Sequence, residues 1–161
     1  MMKAAVVGAS GVEIREVPKP TPGPTQVLVR VRASGLNRAD LIMASGRAHG
    51  AHGGAGAILG LEFAGEVVET GAEVEGLKPG DRVMCSGTGG YAEYAVSDRG
   101  RVDPIPNGMD FEHAATLPVS LITLHNALIT AGRLRAGESV LIQGASSGVG
   151  LMGLQIAKLM G

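Results

Sequence analysis

The sequence predicts an α/β fold in which a β-rich part comes first and a strand–turn–helix unit comes last. Three observations lead to this prediction. Glycine is abundant, with 26 residues among 161, which suits a turn-rich β domain. The run QVLVRVRA at 26–33 alternates in the manner of a half-buried antiparallel strand. After about residue 106 the apolar residues recur with a helical period, and a short apolar run, a turn of small residues and an apolar helix follow.

The β-rich part begins with a predicted hairpin, in which two strands flank a glycine-containing turn at 8–11. A short helix is predicted at 37–45, with Asn37 as its N-cap and with Leu41, Ile42 and Ala44 facing inward. A loop rich in glycine, alanine and histidine is expected at 46–60. The strands of this part are predicted at 3–7, 12–17, 26–33, 62–69, 81–85, 91–96 and 101–105.

The second part is helical at its start. Residues 110–132 are predicted to form two helices broken at Pro118, with Asp110 as N-cap and Gly132 as the stop. The predicted organisation therefore has three parts: a β-rich domain at 1–106, bridging helices at 107–135, and the start of a nucleotide-binding domain at 136–161.

The last part carries the most informative motif. Residues 139–143 form a short apolar run that contains β-branched residues, and they are predicted to form a buried parallel strand. The turn that follows has only small residues, so a pyrophosphate could lie against the first N–H groups of the next helix. Gly150 would let that helix pack closely on the strand. The match to G-x-G-x-x-G is partial, because Ala145 and Ser147 replace the first two glycines, and a tight connection without a ligand stays an alternative.

Composition narrows the function classes. The formal net charge is −1, which gives no indication of a nucleic-acid or anionic-membrane partner. The single cysteine, Cys85, excludes an intramolecular disulfide and a multi-cysteine zinc site. No signal peptide and no membrane-spanning run is predicted, so a cytoplasmic location is expected. One strand with one helix cannot complete a sheet, so the chain is expected to be a fragment of a longer protein.

The ordered motifs VRVRASGLNRAD, GLEFAGEVVETG, LKPGDRV, GGYAEYAV, LPVSLITLHNAL and VLIQGASSGVG resemble the medium-chain dehydrogenase/reductase superfamily. Within it, the chain resembles the zinc-independent quinone oxidoreductases. The resemblance implies a GroES-like β-barrel catalytic domain followed by a Rossmann cofactor domain. It also implies hydride transfer from NADPH, with NADH not excluded, to a quinone or to an alkene conjugated with a carbonyl, and a homodimer at full length.

Departures from the zinc enzymes accompany this resemblance. Asn37 stands where those enzymes carry a cysteine, and Leu61 stands where they carry a histidine. Neither side chain can replace a thiolate or an imidazole on zinc, so no metal is predicted. Two alternatives stay open: a non-catalytic binding or scaffold member of the superfamily, and a zinc-type alcohol dehydrogenase.

The resemblance also assigns roles to residues. It implies that Asn37 lies beside the nicotinamide and that Asp40 orients it, as the catalytic pair; a helix cap and a purely structural carboxylate are the alternatives. Thr123 is expected at the nicotinamide ribose, unless it bonds back to its own helix. The residues expected to bind the diphosphate are Ala145, Ser146, Ser147, Gly148, Val149 and Gly150, and for the serines local turn stabilisation is the alternative. Three further side chains are expected to be structural: Cys85 and Tyr91 packed inside the barrel and His125 partly buried in its helix.

Overall fold

The computed structural model describes residues 1–50 and 52–161. The chain divides into two compact units, Met1–Thr116 and Leu117–Gly161, which we call the first and second units. The predicted boundaries at 106 and 135 stay predictions.

The first unit is built on antiparallel strands. A five-stranded sheet has the order β8-β3-β6-β7-β9, and two smaller pairs, β1 with β2 and β4 with β5, lie outside it. The strands are β1 (Met2–Gly8), β2 (Gly11–Val17), β3 (Gln26–Ser34), β4 (Ala48–His49), β5 (His52–Gly53), β6 (Glu62–Thr70), β7 (Arg82–Ser86), β8 (Tyr94–Asp98) and β9 (Val102–Pro104).

The hairpin of β1 and β2 agrees with the prediction, with Gly8 paired to Gly11 at its turn. Strand β1 also forms backbone hydrogen bonds with two loops that connect strands of the large sheet. Ala5 N donates to Tyr91 O at 2.8 Å, and Leu59 N donates to Ala5 O at 3.0 Å. These bonds attach β1 to the segments that precede β6 and β8.

Alternate residues of the large sheet form its core. The central cluster consists of Val27, Val29, Phe63, Val67, Val83, Cys85, Ala95 and Val102. The alternation predicted for residues 26–33 therefore places Val27 and Val29 inward. Gly65 marks a close approach of two strands: a Cβ there would overlap the carbonyl oxygen of Arg30, next to a break in the register of β3 and β6.

Helix α1 (Arg38–Ala44) follows Asn37, as predicted, but its buried face differs from the prediction. Asp40 and Met43 are buried, whereas Leu41 is 72% exposed. The prediction for Leu41 was wrong because it assumed that the apolar residues define the inward face of α1. The inward face instead contains the carboxylate of Asp40. The expected loop at 46–60 contains β4 and β5, and its residue 51 lies outside the described residues.

Two short helices surround the boundary between the units. Helix α2 (Phe111–Ala114) is capped by the Asp110 carboxylate, which accepts from His113 N. Helix α3 (Pro118–Leu124) begins with the proline, as the predicted break requires, and continues into a π-helical segment, His125–Ala131. By length and composition, the helical run Phe111–Ala131 could cross a membrane, which the sequence prediction had excluded. A helix packed inside a soluble protein meets the same criterion.

The predicted strand at 139–143 is not formed. These residues join no sheet in the described part of the chain, and Leu141 is 86% exposed. A strand is defined by a ladder of hydrogen bonds to a neighbour, and residues 117–161 supply no neighbouring strand. The helix predicted after it is present as α4 (Gly148–Leu159), which packs against α3.

Candidate functional site

The first cluster of candidate residues lies where β3 ends and α1 begins. Asn37 is the N-cap residue of α1, in an extended conformation with φ −119° and ψ 147°. The Asp40 carboxylate oxygen Oδ2 accepts from Asn37 N at 2.7 Å, as in a capping box. The backbone of Asn37 is therefore fixed by the first turn of the helix that it starts.

The side chain of Asn37 turns toward strand β6. Its amide Nδ2 donates to Glu62 Oε1 at 2.9 Å, and Glu62 is only 3% exposed. A carboxylate accepts hydrogen bonds, so the amide must present its NH₂ end to Glu62. The second Nδ2 hydrogen then remains a donor with a defined direction.

Gly35 gives Glu62 its space. A Cβ at Gly35 would overlap Glu62 Oε1 and would lie 2.6 Å from the Ala115 carbonyl oxygen. The backbone N–H of Gly35 also donates to Glu62 O at 3.2 Å. The absence of a side chain at position 35 thus allows the carboxylate of β6 to reach Asn37.

Tyr91 completes this cluster, and sequence reasoning missed its polar role. Its hydroxyl lies 2.6 Å from Asp40 Oδ2 and 3.2 Å from the Gly35 carbonyl oxygen. Burial, and then the hydrogen bond to Asp40, raises the pKa of the Tyr91 phenol far above its ordinary value; the charges of Asp40 and Glu62 act in the same direction. The phenol therefore remains protonated and donates to the carboxylate. No local pattern could indicate this pair, because 51 residues separate its members.

Asp40 has one further distinctive property. Among the described residues, its other oxygen, Oδ1, is a buried polar atom without a hydrogen-bond partner. Asp40 and Asn37 also line an open cavity of about 420 Å³, whose other walls include Leu36, Leu41 and Tyr91. The cluster therefore combines a fixed amide donor with a mostly apolar surface.

The second group of candidates forms the small-residue turn before α4. Ser147 is the N-cap: its Oγ accepts from Gly150 N at 3.0 Å and donates to Gly144 O at 2.8 Å. Local stabilisation, the alternative given for this serine, is thus observed. Ser146 is exposed, and Val149 is partly buried.

The start of α4 is free of bulky groups. A Cβ at Gly148 would meet no atom within 4 Å, whereas one at Gly150 would overlap the Gly144 carbonyl oxygen and lie 2.6 Å from Ala145 Cα. The Gly150 amide is bonded to Ser147 Oγ, whereas the amides of Gly148 and Val149, at the first two helical positions, have no acceptor within the helix. Together with the positive end of the helix dipole, they form a surface that suits an anion.

Thr123 and His125 lie in the second unit, and both are exposed. The prediction of a partly buried His125 was wrong, since the buried residues of this stretch are Leu124 and Leu128. The structure thus brings together Asn37 and Asp40 in the first unit. It also brings together residues 145–150 in the second.

The donor set around Asn37 is oxygen-rich and lacks sulfur and imidazole. Cys85 is buried in the core cluster. Its burial raises the pKa of the thiol, and the charge of Asp103 raises this pKa further by a smaller amount. Within residues 1–50 and 52–161, no group of three or more His, Cys, Asp or Glu side chains is arranged to hold a metal ion. The Asn37 amide Nδ2 donates to the Glu62 carboxylate.

Comparisons with known proteins agree with this architecture. The model of the alcohol dehydrogenase GroES-like domain matches residues 23–107. A quinone oxidoreductase of Mus musculus is 39% identical over 148 residues, covering 91% of this chain and 44% of the relative. A spectinabilin polyketide synthase system protein, NorB, of Streptomyces orinoci is 42% identical over 138 residues, covering 86% of this chain and 6% of that protein.

A solved structure gives the same result at the level of the fold. An alcohol dehydrogenase superfamily protein from Novosphingobium aromaticivorans superposes with a TM-score of 0.91 at 36% identity, covering all of this chain and 51% of that one. The chain thus spans about half the length of this structure and of the mouse relative. It carries an alcohol dehydrogenase GroES-like domain followed by the beginning of a cofactor domain, and it belongs to the medium-chain dehydrogenase/reductase superfamily.

Proposed function

We propose that this chain belongs to an NADPH-dependent oxidoreductase that transfers a hydride to a quinone, or to an alkene conjugated with a carbonyl, without zinc. The observation that carries the proposal is the hydrogen bond between Asn37 and buried Glu62. In the zinc enzymes of the superfamily, from which the sequence departs, these two positions hold metal ligands. Here an amide donates to the carboxylate, and it leaves a second N–H for a ligand.

The residues of the glycine turn fit a dinucleotide. The open space at Gly148, the close contact at Gly150 and the amides at the start of α4 favour a diphosphate there. Ser146, which is exposed, would add a hydroxyl donor, while Ala145, Ser147 and Val149 would contribute mainly their backbone and the shape of the turn. Thr123 would contact the nicotinamide ribose. When bound, the cofactor supplies the hydride.

The acceptor is activated by the chain's own groups. A quinone or an enone is already electrophilic, so it needs orientation and a hydrogen bond to the oxygen that gains negative charge. The free N–H of Asn37 Nδ2 would supply that bond. Asp40 would hold the Asn37 backbone, and a proton from solvent would complete the reduction. Preference for NADPH over NADH, a homodimer and a cytoplasmic location belong to the same proposal.

The experiment is a steady-state assay of NADPH and NADH oxidation by the protein at its native length, with 1,4-benzoquinone and a simple enone as acceptors. Asn37→Ala should lower kcat about a hundredfold, because it removes an oriented donor. Asn107→Ala is the matched control, since Asn107 is an exposed asparagine of the same unit.

Two results would contradict the proposal. One is no turnover with any acceptor together with no cofactor binding in a calorimetric titration. The other is stoichiometric zinc in the purified protein, which would favour the zinc-type alternative.

A further inference from the structure

We infer that Tyr91 is a positioning residue for Asn37, acting through the carboxylate of Asp40. The inference deepens the proposed function, in which Asn37 contacts the cofactor and the acceptor, and it rests on that function for its catalytic meaning. The geometric chain has two short bonds: Tyr91 Oη to Asp40 Oδ2 at 2.6 Å, and Asn37 N to the same oxygen at 2.7 Å. Asp40 therefore links a phenol to the backbone of the candidate catalytic residue.

Two acceptors lie within hydrogen-bond distance of the Tyr91 hydroxyl, and one of them is favoured. It carries one hydrogen, and Asp40 Oδ2 is nearer than the Gly35 carbonyl oxygen, at 2.6 Å against 3.2 Å. A bond from a neutral hydroxyl to a carboxylate is charge-assisted and shorter than a neutral one. The hydrogen therefore lies toward Asp40.

Tyr91 is itself held by the sheet, which makes it a suitable support. Its N–H donates to Leu59 O at 2.9 Å, and its carbonyl accepts from Ala5 N at 2.8 Å. Its ring packs against the cluster of Val7, Met43 and Leu59. Gly60 lies against it so closely that a Cβ there would be 2.7 Å from the ring. The phenol thus reaches Asp40 from a rigid base.

Asp40 needs such a support. It is 7% exposed, and its Oδ1 has no partner among the described residues, so Oδ2 carries the hydrogen bonds that are recorded for the carboxylate. Loss of the Tyr91 hydroxyl would leave a buried carboxylate with the Asn37 N–H alone on Oδ2. Such a carboxylate can rotate toward solvent, and the Asn37 N–H would lose its acceptor.

The test measures hydrogen–deuterium exchange of the Asn37 backbone amide by NMR in the free protein. Tyr91→Phe keeps the ring and removes only the hydroxyl, and it should accelerate this exchange about tenfold. Tyr94→Phe is the matched control, because Tyr94 lies in β8 with Lys19 Nζ 4.1 Å from its ring centroid, and it should leave the rate unchanged. Val29 and Phe63 amides in the sheet report whether the fold is intact.

A double-mutant cycle makes the inference specific. Asp40→Asn should also accelerate exchange at Asn37, and Tyr91→Phe added to it should produce no further change, because both act through one bond. An unchanged Asn37 rate in Tyr91→Phe, or independent and multiplying effects in the double variant, would overturn the inference. If Tyr91→Phe does not fold, Asp40→Asn decides: its Tyr91 ring resonances should shift while those of Tyr94 do not, and unshifted Tyr91 resonances would overturn the inference.

These readouts do not require cofactor or turnover. A protein that shows the expected exchange but no hydride transfer would retain the positioning role and lose the proposed function. Turnover that depends on Asn37 but not on Tyr91 would support the proposed function and contradict the positioning role of Tyr91.

Discussion

At the scale of single residues, the main feature is a carboxylate placed where water cannot reach it. Glu62 is 3% exposed and accepts from the Asn37 amide. A buried charge is stable only when donors surround it, so the choice of an amide rather than an acid at position 37 follows from Glu62. The same bond requires the NH₂ end of the Asn37 amide to face Glu62.

This leads to a prediction for Asn37→Asp. The substitution replaces the donor by a second carboxylate about 3 Å from Glu62, and it should lower the free energy of unfolding at pH 8 by about 3 kcal/mol. Protonation of one of the two carboxyls would remove the repulsion, so the deficit should be smaller at lower pH. Thermal unfolding followed by circular dichroism at several pH values measures it.

Asn107→Asp is the control for this experiment, because position 107 is exposed and should tolerate the charge within about 0.5 kcal/mol. A deficit in Asn37→Asp that does not change with pH would show that the loss arises from shape and not from charge.

At the scale of elements, the local sequence was sufficient to predict those helices and strands whose ends are marked by nearby capping, proline or glycine residues or by a clear periodicity. The strand at 26–33, the Asp110 cap, the helix start at Pro118 and helix α4 are present where the patterns placed them. Elements that depend on distant partners could not be predicted in the same way. Residues 139–143 have the composition of a strand but join no ladder. The inward face of α1 is set by Asp40, whose partner Tyr91 comes from another segment.

The same reasoning applies to the candidate site. Asn37, Asp40 and the glycine turn were found because they are short patterns with known chemistry. From the sequence, an arginine, Arg38 or Arg82, was the expected partner of Glu62. Its observed bond to Asn37 depends on the pairing of β3 with β6. The contact of the Tyr91 hydroxyl with Asp40 could not be predicted, because it joins two segments that are 51 residues apart. The periodicity of apolar residues along the sequence does not indicate which distant segments come into contact.

A second prediction concerns the cap of α4. Ser147→Ala removes the hydroxyl that accepts from Gly150 N, and it should destabilise the start of the helix by about 1 kcal/mol. Amide exchange at Gly150 and Leu151 measures this loss. Ser146→Ala should leave these rates unchanged, since Ser146 is exposed and is not the cap, but it should weaken cofactor binding in the protein at native length. Equal effects of both variants on exchange would contradict the assignment of the cap.

At the scale of the whole molecule, the two units differ in how completely each forms a core. The first unit encloses a cluster of fully buried side chains around Phe63 and Cys85. In the second unit, large apolar residues remain exposed, with Leu141 at 86% and Leu159 at 87%. The chain spans 44% of the mouse relative and 51% of the superposed structure.

A third prediction uses Cys85 to measure the stability of the first unit. Its side chain is fully buried, and burial raises the pKa of the thiol, so a thiol reagent at pH 8 must wait for the core to open. Labelling of the native protein should be at least about a hundredfold slower than in denaturant. A denaturant series of labelling rates, read by mass spectrometry, gives the opening free energy. Rapid labelling without denaturant would show that the sheet around Cys85 is not closed.

The unpaired stretch at 139–143 has a practical consequence for anyone who concentrates this polypeptide. An exposed segment with strand-forming residues that joins no sheet is a template for strands of other molecules. Two copies could satisfy each other there, edge to edge, and further copies could add to the stack. Aggregation of this polypeptide should therefore increase with its concentration, and a charged replacement for Leu141 is the simplest way to reduce it.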